Sequence, residues 1–322
     1  MNTEKRNYMI DLHCHTTRSD GADTPKELID HAQMLGMRII AVTDHDIRPP
    51  EFITVDGTEQ NICRYAAEKG VGLIRGIEIS CETTAEDCHI VCFGCDWADP
   101  FFDRLEQDTV MSKVEGYREL TGILSENGMP MAWEEVLDNN GHPVKEEQVQ
   151  KKMIFELMAR KGYVKDWSEA KLLVKNTPAF QVLRRKPDPR EVIRQVHLCG
   201  GIAIMAHPFL VNEPVCLPEK TITREAYIER LIEAGLDGIE ACYTYHKTSY
   251  GGEMTSEEIE HRVRKTYGQR LRVISGGSDY HADSKKGAKK IRSLGECGLT
   301  CGEFMENEIL WNLFCRQRYT DE

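Results

Sequence analysis

Residues 11–20 read Asp11-Leu12-His13-Cys14-His15-Thr16-Thr17-Arg18-Ser19-Asp20. The stretch closes a short apolar run and sets His13 and His15 one residue apart, with Asp20 close behind. On a strand, side chains at i and i+2 point to the same face. Two imidazoles at a strand end then aim at one point, as a metal ion requires. A lone His-x-His is also common on surfaces, so the other strands decide its meaning.

Working outward, Tyr8–Leu12 reads as a first strand and Arg38–Thr43 (RIIAVT) as a second, running into Asp44-His45-Asp46. Val71–Ile79 is a third and carries Glu78. His89–Cys95 is a fourth, opening on His89. After a long break come Ile202–Ala206 ending at His207, Leu236–Ala241 with Glu240, and Leu271–Ser275 leading into Asp279 and His281. Several of these runs are apolar on both faces, as in a parallel sheet covered by helices. Helices are expected between them. Thr24 and Pro25 open one that Gly36 closes, and Glu59–Lys69 forms another. Asp188 and Pro189 start a third, ending at Gly200. Thr223–Ala234 and Ser256–Tyr267 follow, the latter with a capping box of Thr255 and Glu258. A final amphipathic helix is expected over Glu303–Arg316.

Every strand thus carries His, Asp or Glu at or near an end. Of the 11 histidines, six stand at these termini: His13, His15, His45, His89, His207 and His281. In α/β barrels the site lies at the carboxyl ends of parallel strands, each lending a side chain or two. His89 opens its run, so an antiparallel or displaced strand is needed to bring it to the same rim. The pattern argues for a polynuclear metal site.

Between the fourth and fifth strands the rhythm turns helical and polar. Phe101–Asn127, Glu134–Asp138, Gln148–Lys161 and Ser168–Lys175 read as helices of an inserted subdomain. The chain divides on this reading into a barrel of residues 1–95 and 190–322 and a helical insertion of 96–189. The formal charge is −12, which disfavours a long nucleic acid held along the surface. From His142 to Arg190, however, twelve Lys or Arg face six Asp or Glu. A local positive excess in an acidic chain suits a compact anionic substrate. On this ground the insertion is expected to lean over the rim as a cap, with Lys151 contacting the substrate anion at a helix start.

The 12 cysteines are scattered and read as reduced, buried thiols of a cytoplasmic protein. No apolar run is long enough to span a membrane, and no secretory leader is apparent.

HCHTTRSDG, TDHD, GIEIS, AHP and GGSDYH together resemble the ordered motifs of the PHP (polymerase and histidinol phosphatase) family of metal-dependent phosphoesterases. The resemblance covers residues 9 to about 95 and 188 to about 282. It is nearest to the branch with a helical insertion, which includes nucleotide phosphatases and an exonuclease. It implies a distorted (β/α)7 barrel and two or three divalent ions, Mn, Fe or Zn. By position, His13, His15, Glu78 and Asp279 would hold one metal. Glu78 would bridge to a second completed by His89 and His207, and Asp20, His45 and His281 would surround a third. The activity implied is hydrolysis of a small phosphomonoester, expected to be a nucleotide. Attack would come from a hydroxide held between the metals, with His281 or Asp20 assisting proton transfer. An exonuclease, a histidinol-phosphate phosphatase and a catalytically silent metal-binding partner module are the alternatives. The insertion departs from the branch: Lys151, Lys152 and Met153 stand where an Arg-Pro-His run contacts phosphate, and Lys lacks the bidentate fork of Arg.

Overall fold

The computed structural model describes residues 8–82, 85, 88–218 and 220–320. Seven strands form its main sheet: β1 (Ile10–Asp11), β2 (Ile39–Val42), β3 (Gly72–Ser80), β4 (His89–Phe93), β5 (Ile202–Met205), β6 (Gly238–Cys242) and β7 (Val273–Gly276). They neighbour one another in chain order. All pairings are parallel except those of β4, which runs against both β3 and β5. The outer edges almost meet: Leu12 N–H donates to Gly276 O at 3.3 Å and His15 N–H to Tyr280 O at 2.8 Å. This is a nearly closed, distorted (β/α)7 barrel. Among the described residues, no helix is long and apolar enough to cross a membrane.

The helices begin where local chemistry starts them. Thr24 and Glu27 form a capping box before Pro25–Met34, and Thr255 and Glu258 form another before Ser256–Tyr267. Each box satisfies two backbone N–H groups that a helix start leaves unpaired. Asp188 caps Pro189–Leu198, with Pro189 in the first turn. An apolar cluster joins Leu12, Ala41, Ile74, Phe93, Ile204 and Val273 to Phe304, Leu310 and Phe314 of the last two helices.

Three local features differ from the sequence reading. A hairpin, Phe52–Val55 with Thr58–Asn61, precedes the second helix. Its turn is Asp56-Gly57 with both φ positive, at 50° and 83°, as a two-residue turn of the primed type demands. The following helix therefore starts at Ile62, where the Asn61 side chain accepts from the N–H groups of Cys63 and Arg64. A second, two-residue hairpin pairs Val215–Cys216 with Thr221–Ile222. The last helix is also two, Cys301–Glu306 and Glu308–Thr320. Asn307 is extended between them, and its Oδ1 accepts from Leu310 N–H at 3.1 Å, capping the second.

Chain contacts define two compact units, Met1–Asp103 with Pro187–Glu322, and Arg104–Lys186. The second has its own apolar core, built from Leu120, Leu124, Ile154, Phe155, Met158 and Val174 among others.

Candidate metal centre

Six of the barrel strands run in one direction, so their carboxyl ends share a rim. Antiparallel β4 brings its first residue, His89, to that rim, where it pairs with Ser80 at the end of β3. The antiparallel direction is what the sequence left unspecified for His89.

Glu78 lies at the centre of the cluster. Its Oε1 is 2.9 Å from both His89 Nδ1 and His207 Nε2. Its Oε2 is 3.1 Å from His13 Nε2, 3.2 Å from His15 Nε2 and 3.1 Å from His45 Nδ1. Asp279 Oδ1 lies 3.1 Å from His15 Nε2 and 3.7 Å from His13 Nε2. Asp20 Oδ1 lies 3.0 Å from His281 Nε2 and 3.9 Å from His15 Nδ1. The nine residues singled out as ligands therefore stand together at one rim. Three subsets bring one donor atom each within 4.8 Å of the others: His13, His15 and Glu78; His45, Glu78 and His89; and His15, Asp20, His45 and His281.

The surroundings fix how these groups face. His13 Nδ1 donates to Glu240 Oε1 at 2.9 Å, which turns Nε2 toward Glu78 as the nitrogen a cation would take. Glu240 Oε2 also accepts the His207 backbone N–H at 2.7 Å. One carboxylate thus sets both a ring and the strand end opposite. His281 Nδ1 donates to Asp279 O at 2.8 Å, turning its Nε2 toward Asp20. Asp11, buried at the end of β1, accepts from the N–H groups of Ser278 and Gly295, tying the first strand to the last loops. His207 and Asp279 both have positive φ, 28° and 53°. Such conformations cost on the order of 1–3 kcal/mol each and persist where surroundings hold them.

Without a cation the electrostatics are unbalanced. Burial opposes a charge on His15, but Asp279 and Glu78 outweigh it and raise the ring to about 9. Burial likewise opposes His13, and Glu240 and Glu78 lift it well above the ordinary imidazole range. Burial would raise Glu78 and Asp279, yet the surrounding imidazoles hold both well below the usual carboxylate range.

The donor set fits divalent ions. Glu78 Oε2 has three ring nitrogens within 3.2 Å, yet none makes a hydrogen bond to it. The Nε2 atoms of His13 and His15 face each other at 3.1 Å, inside the same cluster. Imidazole nitrogens and carboxylate oxygens converging on a buried point are what a cation would satisfy, displacing the ring protons.

Neighbouring charged residues take other partners. Asp44 accepts from Thr16 N–H, Thr16 Oγ1 and Ser19 Oγ, so it braces the loop after β1. Asp46 accepts the Ser80 N–H at 2.7 Å. Lys285 pairs with Asp23 and Glu27. Lys151 belongs to the second unit, where it opens the helix Lys151–Arg160 with its ammonium 6.0 Å from the Phe155 ring centroid. Burial, and then Arg184, lower its pKa. All 12 cysteines are free thiols, most of them buried.

Two contributors had no signal in the sequence pattern. Arg292 Nη1 donates to Asp279 Oδ2 at 2.6 Å, and its other nitrogens hold Asp283. Tyr243 Oη donates to the same Asp279 oxygen at 2.7 Å. A search for a charge partner to Asp279 in the loop after His281 would have reached Arg292.

The family profile described as the PHP domain matches residues 11–177. The chain belongs to the PHP domain family. Among curated relatives, a 5'-3' exoribonuclease of Haemophilus influenzae is 30% identical over 63% of this chain and 69% of its own length. A 3',5'-nucleoside bisphosphate phosphatase of Chromobacterium violaceum is 26% identical over 86% of this chain and 89% of its own. A Bifidobacterium adolescentis protein assigned as a metal-dependent phosphoesterase shares the fold with TM-score 0.62, at 24% identity, covering 94% of this chain and 96% of that one. This PHP-domain chain is a metal-dependent phosphoesterase, a hydrolase.

Proposed function

We propose that the protein hydrolyses small phosphomonoesters, nucleotides in particular, at the Glu78 rim. The observation that carries the reading is that each Glu78 oxygen faces its own set of imidazole nitrogens, so one carboxylate can serve two cations. His13, His15 and Asp279 would hold one, His89 and His207 a second, and Asp20, His45 and His281 a third. The mixed nitrogen and oxygen donors suit Mn²⁺, Fe²⁺ or Zn²⁺. Bound there, such ions supply neutralisation of the phosphate oxygens and a more acidic water.

The remaining roles fall to the chain. Glu240 keeps His13 in the tautomer that presents Nε2. Asp20, with its side chain 58% exposed, stands at the mouth of the cluster and accepts from the buried His281. Where the third position holds no cation, that pair would carry a proton between the reacting centre and solvent, His281 Nε2 being the atom that holds it. Nucleotide specificity is supported by the near full-length similarity to the bisphosphate phosphatase and by the acidic charge, which disfavours a long polyanion.

A second reading, exoribonuclease, has the Haemophilus influenzae relative in its favour. One experiment separates them. Metal-loaded protein is given nucleoside bisphosphates, mononucleotides, sugar phosphates, histidinol phosphate and short 5'-phosphorylated RNA. Phosphate release from the nucleotides with intact RNA is expected. Stepwise shortening of the RNA without phosphate release from nucleotides would overturn the first reading in favour of the second.

A further inference from the structure

A second hollow lies at the opposite end of the barrel. The histidine cluster occupies the carboxyl ends of the parallel strands and the start of β4. The hollow is bordered by the other ends. Asp96 and Trp97 follow β4, Arg272 directly precedes β7, and Arg75 lies in the first half of β3, whose next residue pairs with the last of β4. The closing wall is the last helix, Glu308–Thr320, with Asn312 and Arg316. That helix is fastened to the barrel where Gln317 Oε1 accepts the Arg75 backbone N–H at 3.2 Å.

Size and charge limit what it could take. The cavity volume is about 580 Å³, within the span of small-molecule sites. Three arginines line it against one acidic residue, Asp96, in a chain whose formal charge is −12. Arg272 meets Asp237 at 3.1 Å with its side chain still 68% exposed. Arg75 and Trp97 are half-buried, Trp97 packed on Phe102 with ring centroids 5.0 Å apart. Guanidinium is the side chain best shaped to grip phosphate oxygens in pairs. An aromatic wall beside such groups adds a face for a base. A lone phosphate would leave most of the volume empty.

We propose that this hollow is a second ligand site, taking a nucleotide-sized phosphorylated anion whose phosphates meet Arg75, Arg272 and Arg316. It is separate from the chemistry at the Glu78 rim.

The probes are ADP and inorganic pyrophosphate, titrated calorimetrically into the full chain in excess EDTA, so that no metal holds the anion at the rim. Binding is expected for the wild type and for Glu78→Gln. Arg272→Gln and Arg316→Gln, each checked for an unchanged unfolding temperature without ligand, should bind at least tenfold more weakly. Both should hydrolyse substrate at the wild-type rate when metal-loaded. Three outcomes would overturn the proposal: no binding by the wild type at millimolar ligand, wild-type affinity in both arginine variants, or binding lost only in Glu78→Gln.

Discussion

Arg292 holds one oxygen of Asp279 and leaves the other to the histidines. Its Nη1 is 2.6 Å from Oδ2, while Oδ1 lies 3.1 Å from His15 Nε2. The Tyr243 hydroxyl is on the same Oδ2, so this carboxylate presents a single atom to the cluster. Burial opposes the charge on Arg292, but Asp283 and Asp279 more than restore it. Arg292→Ala should leave Oδ2 to the Tyr243 hydroxyl alone and the carboxylate freer to turn. Metal affinity of EDTA-stripped protein is expected to fall about 10–100-fold, the usual effect of removing a group behind a ligand. Arg292→Lys should recover part of it. Unchanged titrations for the alanine variant would mean that Asp279 is held by other means.

Glu78→Gln should remove most of the activity. It keeps the size of the side chain but takes away the charge that five imidazoles face. Metal analysis should show at least one ion fewer per chain, with hydrolysis down by several orders of magnitude. Lys285→Ala, which removes the ammonium paired with Asp23 and Glu27, should leave both unchanged. Equal and mild effects from the two substitutions would show that the metals are not catalytic.

Gly277 is fixed by contact rather than by its dihedral angles. A Cβ there would stand 2.3 Å from His13 Cβ and 2.6 Å from His13 N. Gly277→Ala should push the end of β7 off His13. A destabilisation of about 1–3 kcal/mol or more in urea unfolding is expected, together with weaker metal binding. Gly251→Ala, with nothing within 4 Å, is the matched control and should be neutral.

The metal-free protein stores protons that metals must displace. His15 titrates at about 9 and His13 is also raised, so both carry a proton at neutral pH. Ligation needs the neutral rings. Adding Mn²⁺ or Zn²⁺ to stripped protein in weak buffer at about pH 7.5 should acidify the solution by roughly one to two protons per chain. The release should vanish well above the His15 value. The same raised value sets the sign for folding of the stripped protein. The His15 contribution is complete below the ordinary 6.5 and is lost as pH rises through about 9. A pH-independent release of no protons would contradict these charge states.

Much of this was legible in the sequence because strand ends advertise themselves. An apolar run of β-formers followed at once by His, Asp or Glu gave the rim positions of His13, His45, Glu78, His207 and Asp279. What escaped depends on partners distant in the chain. The direction of β4 is set by its neighbours, and nothing within HIVCFGC encodes it. Arg292 stands in a lysine-rich loop, where one more cation has no distinguishing pattern. The Asp56-Gly57 hairpin carried a recognisable turn signal, but its strand Thr58–Asn61 is polar and resembles a helix start. The break at Asn307 was hidden because the apolar spacing continues across it, while the extended Asn backbone ends one helix and its side chain begins another.

The closure of β1 against the loop after β7 also has a consequence during synthesis. Asp279 and His281 leave the ribosome some 266 residues after His13 and His15. At typical elongation rates that interval is on the order of 10–60 s. Through all of it the early histidines lack the Asp11 clamp to Ser278 and Gly295, and the Asp279 oxygen. A nascent chain is therefore a poor competitor for metal until the Asp279 segment has emerged, and loading lags well behind synthesis of the first two histidines.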